Sequence, residues 1–350
     1  LLALRHKLGR PSAVAPQAPA LLVLHVGAPA PGMNAVVASV TRSALARGWR
    51  AIGAYDGLRG LSQGQTTDLH WMSVDGWVSR GGASLGTNRD SADCAPLVPR
   101  LKELGIRAVV VVGGFEAIDV AESLYAYGVP VAVVPATISN NLPGTWRSIG
   151  SDTACNAVIE ATDRLRQSAV GARNRVFVVE VMGRRCGALA ASSAVGAGAE
   201  LVFTHEDAVG LSHVQAASRS LNQEFDDGRS VGLVLVADGI AAPFDARSLA
   251  KVFEAESGDR FDTRLCVLGH LQQGGRPAPM DRLDGARLGE AAVEGCTQGA
   301  SGAVLVGLDG HGTRIMNLAD VNAAADRPNR RPLNPGYAGV LDLARSLGAK

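Results

Sequence analysis

Aromatic residues are scarce in this chain of 350: Phe, Trp and Tyr together make up 4%, too few for a platform that stacks nucleic-acid bases. Charge of either sign is not in excess. The formal net charge is +1, so no strong field draws the chain to nucleic acid or to an anionic membrane. No apolar run of about 18 residues occurs, which excludes a membrane-spanning helix. Cys94, Cys155, Cys186, Cys266 and Cys296 lie far apart without CxxC spacing, so neither a disulfide frame nor a zinc site is expected. Such cysteines suit reduced thiols in a cytoplasmic protein. No repeat with a period of about 20–50 residues is visible.

What is present is glycine, 42 residues of it, within a 47% apolar chain. That combination suits tight turns and close backbone approach to ligands. Short β-branched runs (Leu21–Val26, Trp49–Tyr55, Ala108–Val112, Val131–Val134, Val176–Val179, Leu201–Phe203, Val231–Val236, Ala303–Val306) alternate with helical patterns. The alternation predicts an α/β fold with mainly parallel sheets flanked by helices. The length allows two lobes. Residues 1–19, with two Ala-Pro pairs, read as a linker. Residues 20–150 form the first lobe, completed by about 270–310, and 151–269 form the second. Residues 311–350 are a tail with a closing helix.

The stretch Val131–Gly150, VAVVPATISNNLPGTWRSIG, organises the rest. A buried strand delivers Thr137, Ser139, Asn140 and Asn141 to a strand's carboxyl end, where open α/β sheets bind ligands. No carboxylate stands among Thr137–Asn141, so the loop offers hydroxyls and amides without a base. A helix follows from Ser151–Asp152, with Val158, Ile159, Thr162 and Leu165 inward and Glu160, Asp163, Arg164 and Arg166 outward. Earlier, GAPAPGMNA turns a first strand into a helix whose N-terminus is either a plain βα turn or an anion site. WVSRGGASLGTNR (Trp77–Arg89) is either a solvated loop or an arginine phosphate clamp. Thr204-His205-Glu206-Asp207 holds three possible metal ligands, but consecutive residues do not converge on one ion, and no metal is expected. Phe261–Arg276, FDTRLCVLGHLQQGGR, collects Arg264, His270, Gln272 and Gln273 around a short apolar core.

Taken in order over roughly residues 20–345, these motifs resemble the ATP-dependent 6-phosphofructokinases. The family's first glycine loop matches GAPAPGMN and its second matches GGASLGTNR. Its phosphate and catalysis loop matches ATISNNLPGT, followed by IGSDTA; EVMGRRCG and LGHLQQGGRPAPMDR complete the series. The fold implied is the two-lobed one of the family, with the ligand cleft between lobes.

The departures carry the functional expectation. Active halves have Gly-Gly-Asp-Gly, whose Asp serves magnesium and whose last Gly admits the nucleotide; this chain has Gly113-Gly114-Phe115-Glu116. Active halves have Thr-Ile-Asp-Asn-Asp, whose first Asp is the base; here Ser139 takes that position in Thr137-Ile138-Ser139-Asn140-Asn141. The first loop, Gly-Gly-Asp in active halves, is Gly27-Ala28-Pro29. The pattern is similar to the C-terminal, regulatory half of the duplicated eukaryotic enzyme. There the former substrate site binds fructose 2,6-bisphosphate as an allosteric activator, and the N-terminal stretch resembles the connector to the catalytic half. The resemblance implies effector contacts from Arg89, Thr137, Ile138, Ser139, Asn140, Asn141 and Arg175. It adds Met182, Gly183, Arg184, Asp238, Arg264, His270, Leu271, Gln272, Gln273 and Arg327, with Arg330 close behind. It implies no cofactor in this half, Mg and ATP in a catalytic partner half, and an oligomer, a tetramer in the family. Adenine-nucleotide or citrate sites are implied without a place. Two other readings stand beside it. One is an active kinase using Glu116 or Asp119; the other is a purely structural half that only supports the oligomer.

Overall fold

The computed structural model describes residues 14–89, 92–171, 174–240, 243–298 and 302–348. Residues 1–13 of the expected linker, and 349–350 of the tail, lie outside them. In chain order come β1 (Ala20–Val26), α1 (Met33–Ala46), β2 (Arg50–Ala54), α2 (Gly57–Ser62), β3 (Thr66–Leu69), α3 (Val98–Glu103), β4 (Ile106–Gly113), α4 (Phe115–Ala126) and β5 (Val131–Pro135). Next are α5 (Ser151–Ser168), β6 (Arg175–Val181), α6 (Ala188–Ala197), β7 (Leu201–Phe203), α7 (Leu211–Asp226), β8 (Val231–Ala237), α8 (Ala246–Glu256) and β9 (Asp262–Val267). The chain closes with α9 (Pro279–Thr297), β10 (Ala303–Leu308), β11 (Thr313–Asn317), α10 (Leu318–Ala323), β12 (Ala325–Asp326), β13 (Arg331–Pro332) and α11 (Ala338–Leu347).

These elements form two compact units. The first takes the described residues up to Ala136, then Gly144–Ile149 and Pro279–Ala323. Its sheet has the order β11-β10-β5-β4-β1-β2-β3, parallel through β10-β5-β4-β1-β2, with an antiparallel strand at each edge. Every residue of β1 is buried, as a central strand covered on both faces requires. The two edge strands β3 and β11 mix polar and apolar residues over only four and five positions, and carry no period that marks them in the sequence.

The second unit takes Thr137–Pro143, Gly150–Ala278 and the described residues from Ala324 on. Its all-parallel sheet runs β7-β8-β6-β9. Successive residues of β6 serve opposite cores, as the strand period of two dictates. Val176 and Val178 pack with Leu221 and Phe225 of α7 and Leu249 and Phe253 of α8. Phe177 and Val179 pack with Val158 of α5, Ala190 and Ala194 of α6 and Ala344 of α11.

Three expectations change. The return to the first unit starts at Pro279, because Gly269–Gln273 is a 3₁₀ turn bonded into the second unit and the Ala278 N–H donates to Thr153 Oγ1 at 2.8 Å. The tail is shared, Ala323 ending one unit's portion and Ala324 opening the other's. Arg166 does not point outward with Glu160, Asp163 and Arg164. It bends back to the Gly198 carbonyl and lies 3.7 Å from the buried Glu200, whose charge needs partners. The short apolar core expected in 261–276 is the edge strand β9.

Candidate functional site

The parallel strands of the second unit end together, so their following residues line one edge of the sheet. β6 leads into Met182-Gly183-Arg184, β8 into Asp238-Gly239, and β9 into the 3₁₀ turn Gly269–Gln273. Arg184 has φ of +55°, a conformation that costs a non-glycine residue on the order of 1 kcal/mol or more. The Asp238 carboxylate holds it there by accepting the Arg184 N–H. Burial pushes the Asp238 carboxyl up from its ordinary range, opposed by hydrogen bonds and the charge of Arg184. Glu180 behind it is raised too, first by burial and then by the charges of Asp238 and Asp245.

Gln272 is fully buried. Its Oε1 accepts the Met182 N–H at 3.1 Å and its Nε2 donates to the Gly269 carbonyl at 3.0 Å. It therefore ties two edge loops together and does not face a ligand. Leu271 points to solvent, 77% exposed, and His270 and Gln273 flank it on the surface side of the turn.

The loop Thr137–Asn141 belongs to this unit. Ser139 and Asn141 are each 7% exposed, Ile138 is buried, and Asn140 has φ of +47°. The Asn141 amide donates to the Arg330 carbonyl at 2.7 Å, while its Oδ1 is buried with no hydrogen-bond partner among the described residues. The hairpin of β12 and β13 thus joins the same assembly and brings Arg327, Arg330 and Arg331. Arg185 donates to Asn329 Oδ1 at 3.2 Å, and Arg331 donates to the Arg185 carbonyl at 3.3 Å. The result is a set of hydroxyls, amides and the Asp238 carboxylate with Arg184, Arg185, Arg327 and Arg330, chemistry that suits a phosphorylated polyol; the Arg331 guanidinium is committed to Glu206 and Asp326.

Arg175 and Arg264 are not part of that edge. Arg175 opens β6, so seven residues of strand, roughly 20 Å, separate it from Met182. Arg264 pairs in register with Phe177 near the same far end; its exposed guanidinium donates to the Thr263 carbonyl at 2.9 Å. Arg89 belongs to the first unit, where it is exposed just after the Val26↔Asn88 bridge.

The first unit has its own sheet edge. After β1, Gly27 (φ +95°) donates its N–H to the Asn88 carbonyl at 2.8 Å and accepts Thr87 Oγ1 at 2.8 Å. A Cβ at Gly27 would lie 3.1 Å from Glu116 Oε2, so the glycine turn is pressed against that carboxylate. Phe115, in the position of the family's metal-binding Asp, is 3% exposed in the core. The stretch Trp77–Arg89 is held from below by the buried Asn34. Its amide donates to the carbonyls of Arg80 (3.2 Å) and Gly81 (3.1 Å), and its Oδ1 accepts the Ser84 N–H at 2.7 Å.

The residues Thr204–Asp207 turn apart. Thr204 bonds Asp207, His205 Nδ1 faces the Gly239 carbonyl at 3.0 Å, and Glu206 accepts from Gly187 and Tyr337. Among the described residues no three His, Cys, Asp or Glu side chains are grouped to hold a metal ion, and no helix is long and apolar enough to cross a membrane. The sequence reading missed Arg185, Asn329, Arg331 and Tyr337, and weighed Glu206 only as a metal ligand. Nothing local marks them, because each acts through a partner more than 100 residues away or across a turn.

The phosphofructokinase family pattern matches residues 20–296. The ATP-dependent 6-phosphofructokinase of Schistosoma mansoni is 39% identical over 282 residues, and the liver-type enzyme of Homo sapiens is 40% identical over 282. Each match covers 78% of this chain but 36% of the relative, so the chain spans about a third of the length of the curated relatives it matches. Among solved structures, phosphofructokinase from Saccharomyces cerevisiae superposes with a TM-score of 0.89 at 26% identity, over 96% of this chain and 48% of that one. The Pichia pastoris enzyme in the T-state gives 0.89 at 28%, over 99% and 43%. With the pattern matched over most of its length and the fold shared throughout, the chain belongs to the phosphofructokinase family.

Proposed function

We propose that this chain is a regulatory, catalytically silent half of an ATP-dependent 6-phosphofructokinase. It binds a sugar bisphosphate, of which fructose 2,6-bisphosphate is the type, at the C-terminal edge of the four-stranded sheet. One observation carries the proposal. The loop Thr137–Asn141 presents hydroxyls and amides without a carboxylate, and Asn141 bonds it to an arginine-bearing hairpin. Ser139 stands at the position of the family's base, and a serine hydroxyl does not deprotonate a sugar hydroxyl at neutral pH. Removing carboxylates also lowers repulsion toward a ligand with two phosphates.

The first unit's turn supports the same reading. With Phe115 in the core and the Glu116 carboxylate against Gly27, these residues do not suit a magnesium–nucleotide. No phosphoryl transfer is assigned here. In this proposal Mg and ATP act in a partner catalytic half, which converts fructose 6-phosphate to fructose 1,6-bisphosphate in the cytoplasm. Arg175 and Arg264, at the far end of the sheet, would serve the site of a neighbouring subunit. The edge strand β9 exposes Val267 at 54%, an apolar surface suited to such a neighbour. The ligand regulates by binding one conformer of the assembly better than the other.

Calorimetric titration with fructose 2,6-bisphosphate, beside fructose 6-phosphate and magnesium–ATP, tests the reading together with a turnover assay. The expected result is saturable binding of the bisphosphate without turnover. Turnover by the purified chain, abolished by Glu116→Ala, would overturn it in favour of an active kinase.

A further inference from the structure

The side chains of the acidic segment Thr204–Asp207 form no metal-ligand cluster among the described residues and are committed to another task. Glu206 Oε1 accepts the Gly187 N–H at 3.1 Å and the Tyr337 hydroxyl, and lies 3.3 Å from Arg331 Nη1. Asp207 is fixed by Thr204 Oγ1 at 3.0 Å and receives Arg345 from α11. Tyr337 is 7% exposed and packs with Cys186 and Ala188. The C-terminal segment from Ala324 to Leu347 is thus a strap fastened twice to the turn after β7, once in its middle and once in its last helix.

The same strap touches two ligand segments. Arg330 accepts Asn141 through its carbonyl at 2.7 Å, and Arg331 bonds the Arg185 carbonyl at 3.3 Å while its Nε lies 3.4 Å from Asp326. The loop Met182–Gly187 is strained, with Arg184 at φ +55°, and persists because its surroundings over-determine it. Glu206 grips both ends of this arrangement, the loop through Gly187 and the strap through Arg331 and Tyr337. The fit leaves no slack: a Cβ at Gly187 would fall 2.7 Å from Thr204 Cβ and 2.8 Å from Glu206 Oε2.

We propose that Glu206 is a positioning residue, the buckle by which the C-terminal strap holds the Met182–Gly187 and Thr137–Asn141 loops in ligand-binding geometry. The affinity arm of its test rests on the regulatory reading above; the geometry does not. Strap closure and ligand binding are then linked, each favouring the other by the same factor.

The test is amide hydrogen exchange on the whole chain, wild type against Glu206→Gln and the milder Tyr337→Phe, with fructose 2,6-bisphosphate affinity measured in parallel. Losing a charge-assisted bond should speed exchange at 182–187 and 329–331 about tenfold or more in Glu206→Gln, and less in Tyr337→Phe. Exchange in β8 should stay unchanged, which separates positioning from general destabilisation. Affinity should fall about tenfold, and adding Arg331→Met to Glu206→Gln should cost little more, because the two residues act as one unit. Unchanged exchange at 182–187 overturns the buckle. So does faster exchange with undiminished affinity. Absence of any wild-type binding would refute the regulatory reading alone, and the exchange result would still decide the strap.

Discussion

The two sheets of this molecule end in loops of opposite character. In the first unit the Gly27 turn is closed by its own chain, its N–H and carbonyl taken by Asn88 and Thr87 and its face pressed by the Glu116 carboxylate. In the second, the edge carries Arg184 and Arg185, the Asp238 carboxylate, an arginine-bearing hairpin and the Oδ1 of Asn141, which has no partner among the described residues. A parallel sheet edge is a general invitation to a phosphate, and side-chain charge decides whether it is accepted. Here the Glu116 carboxylate presses on one edge, whereas on the other the arginines stand beside the carboxylate of Asp238, which is committed to the loop by accepting the Arg184 N–H. On the reading proposed above, that contrast suits binding of a bisphosphate better than use of a nucleotide.

The comparison can be broken most directly at the cationic edge. Replacing Arg184 and Arg327 together by Ala should weaken fructose 2,6-bisphosphate binding by at least about 100-fold, since each charge-assisted bond contributes roughly 1.5–3 kcal/mol. Calorimetry that found the double variant equal to wild type would move the site elsewhere.

A second difference lies in pH response. His25 on β1 is fully buried, and burial lowers its pKa to about 4 from an ordinary 6.5. The unfolded chain therefore binds the extra proton first. Stability from this group is complete above about pH 6.5 and falls as pH drops toward 4, by about 3 kcal/mol in total. In the second unit, Glu180, Glu200 and Asp238 are raised by burial. They bind protons more readily when folded, so mild acid relieves their desolvation cost. Acid titration followed by hydrogen exchange should show the first unit loosening before the second, and His25→Leu should flatten that loss. Equal loosening would show that His25 is not the controlling group.

A smaller effect is expected at the closed turn. Glu116→Gly removes the resident anion, and nucleotide or pyrophosphate affinity at the first unit should rise on the order of tenfold. If the variant binds neither ligand better than wild type, the carboxylate is not what closes the turn. The smallest effect is the most diagnostic. Ser139→Asp restores an acid to the ligand loop but should restore no turnover, because Phe115 still fills the core where a metal ligand would be needed. Measurable phosphoryl transfer by that variant would show the loss to be a single-residue matter.

Much of this is legible in the amino-acid sequence alone. The β-branched runs, with continuous burial potential, predicted the central parallel strands within one or two residues; Val231–Val236 and Val131–Val134 are examples. The order of glycine loops carried the family, and the missing acids at Phe115 and Ser139 carried the functional expectation. The edge strands β3 and β11 were not legible, because four or five mixed residues have no distinctive period. Nor was α8, which opens with Asp245 accepting the Ser248 N–H at 2.7 Å, a cap that is plain once the helix is known.

By itself the sequence determined composition, strand and helix periodicity and which chemical groups follow each strand, since these depend on neighbours along the chain. Only the tertiary structure decided which of those groups meet. It turned Gln272 inward to hold Met182, sent Arg175 and Arg264 to the far end of their strands, and brought Arg331 and Tyr337 back to Glu206. The physical reason is that strand direction and register fix which end of a sheet a residue reaches. Hydrogen-bond partners more than 100 residues apart are chosen by that placement, and no local pattern encodes it.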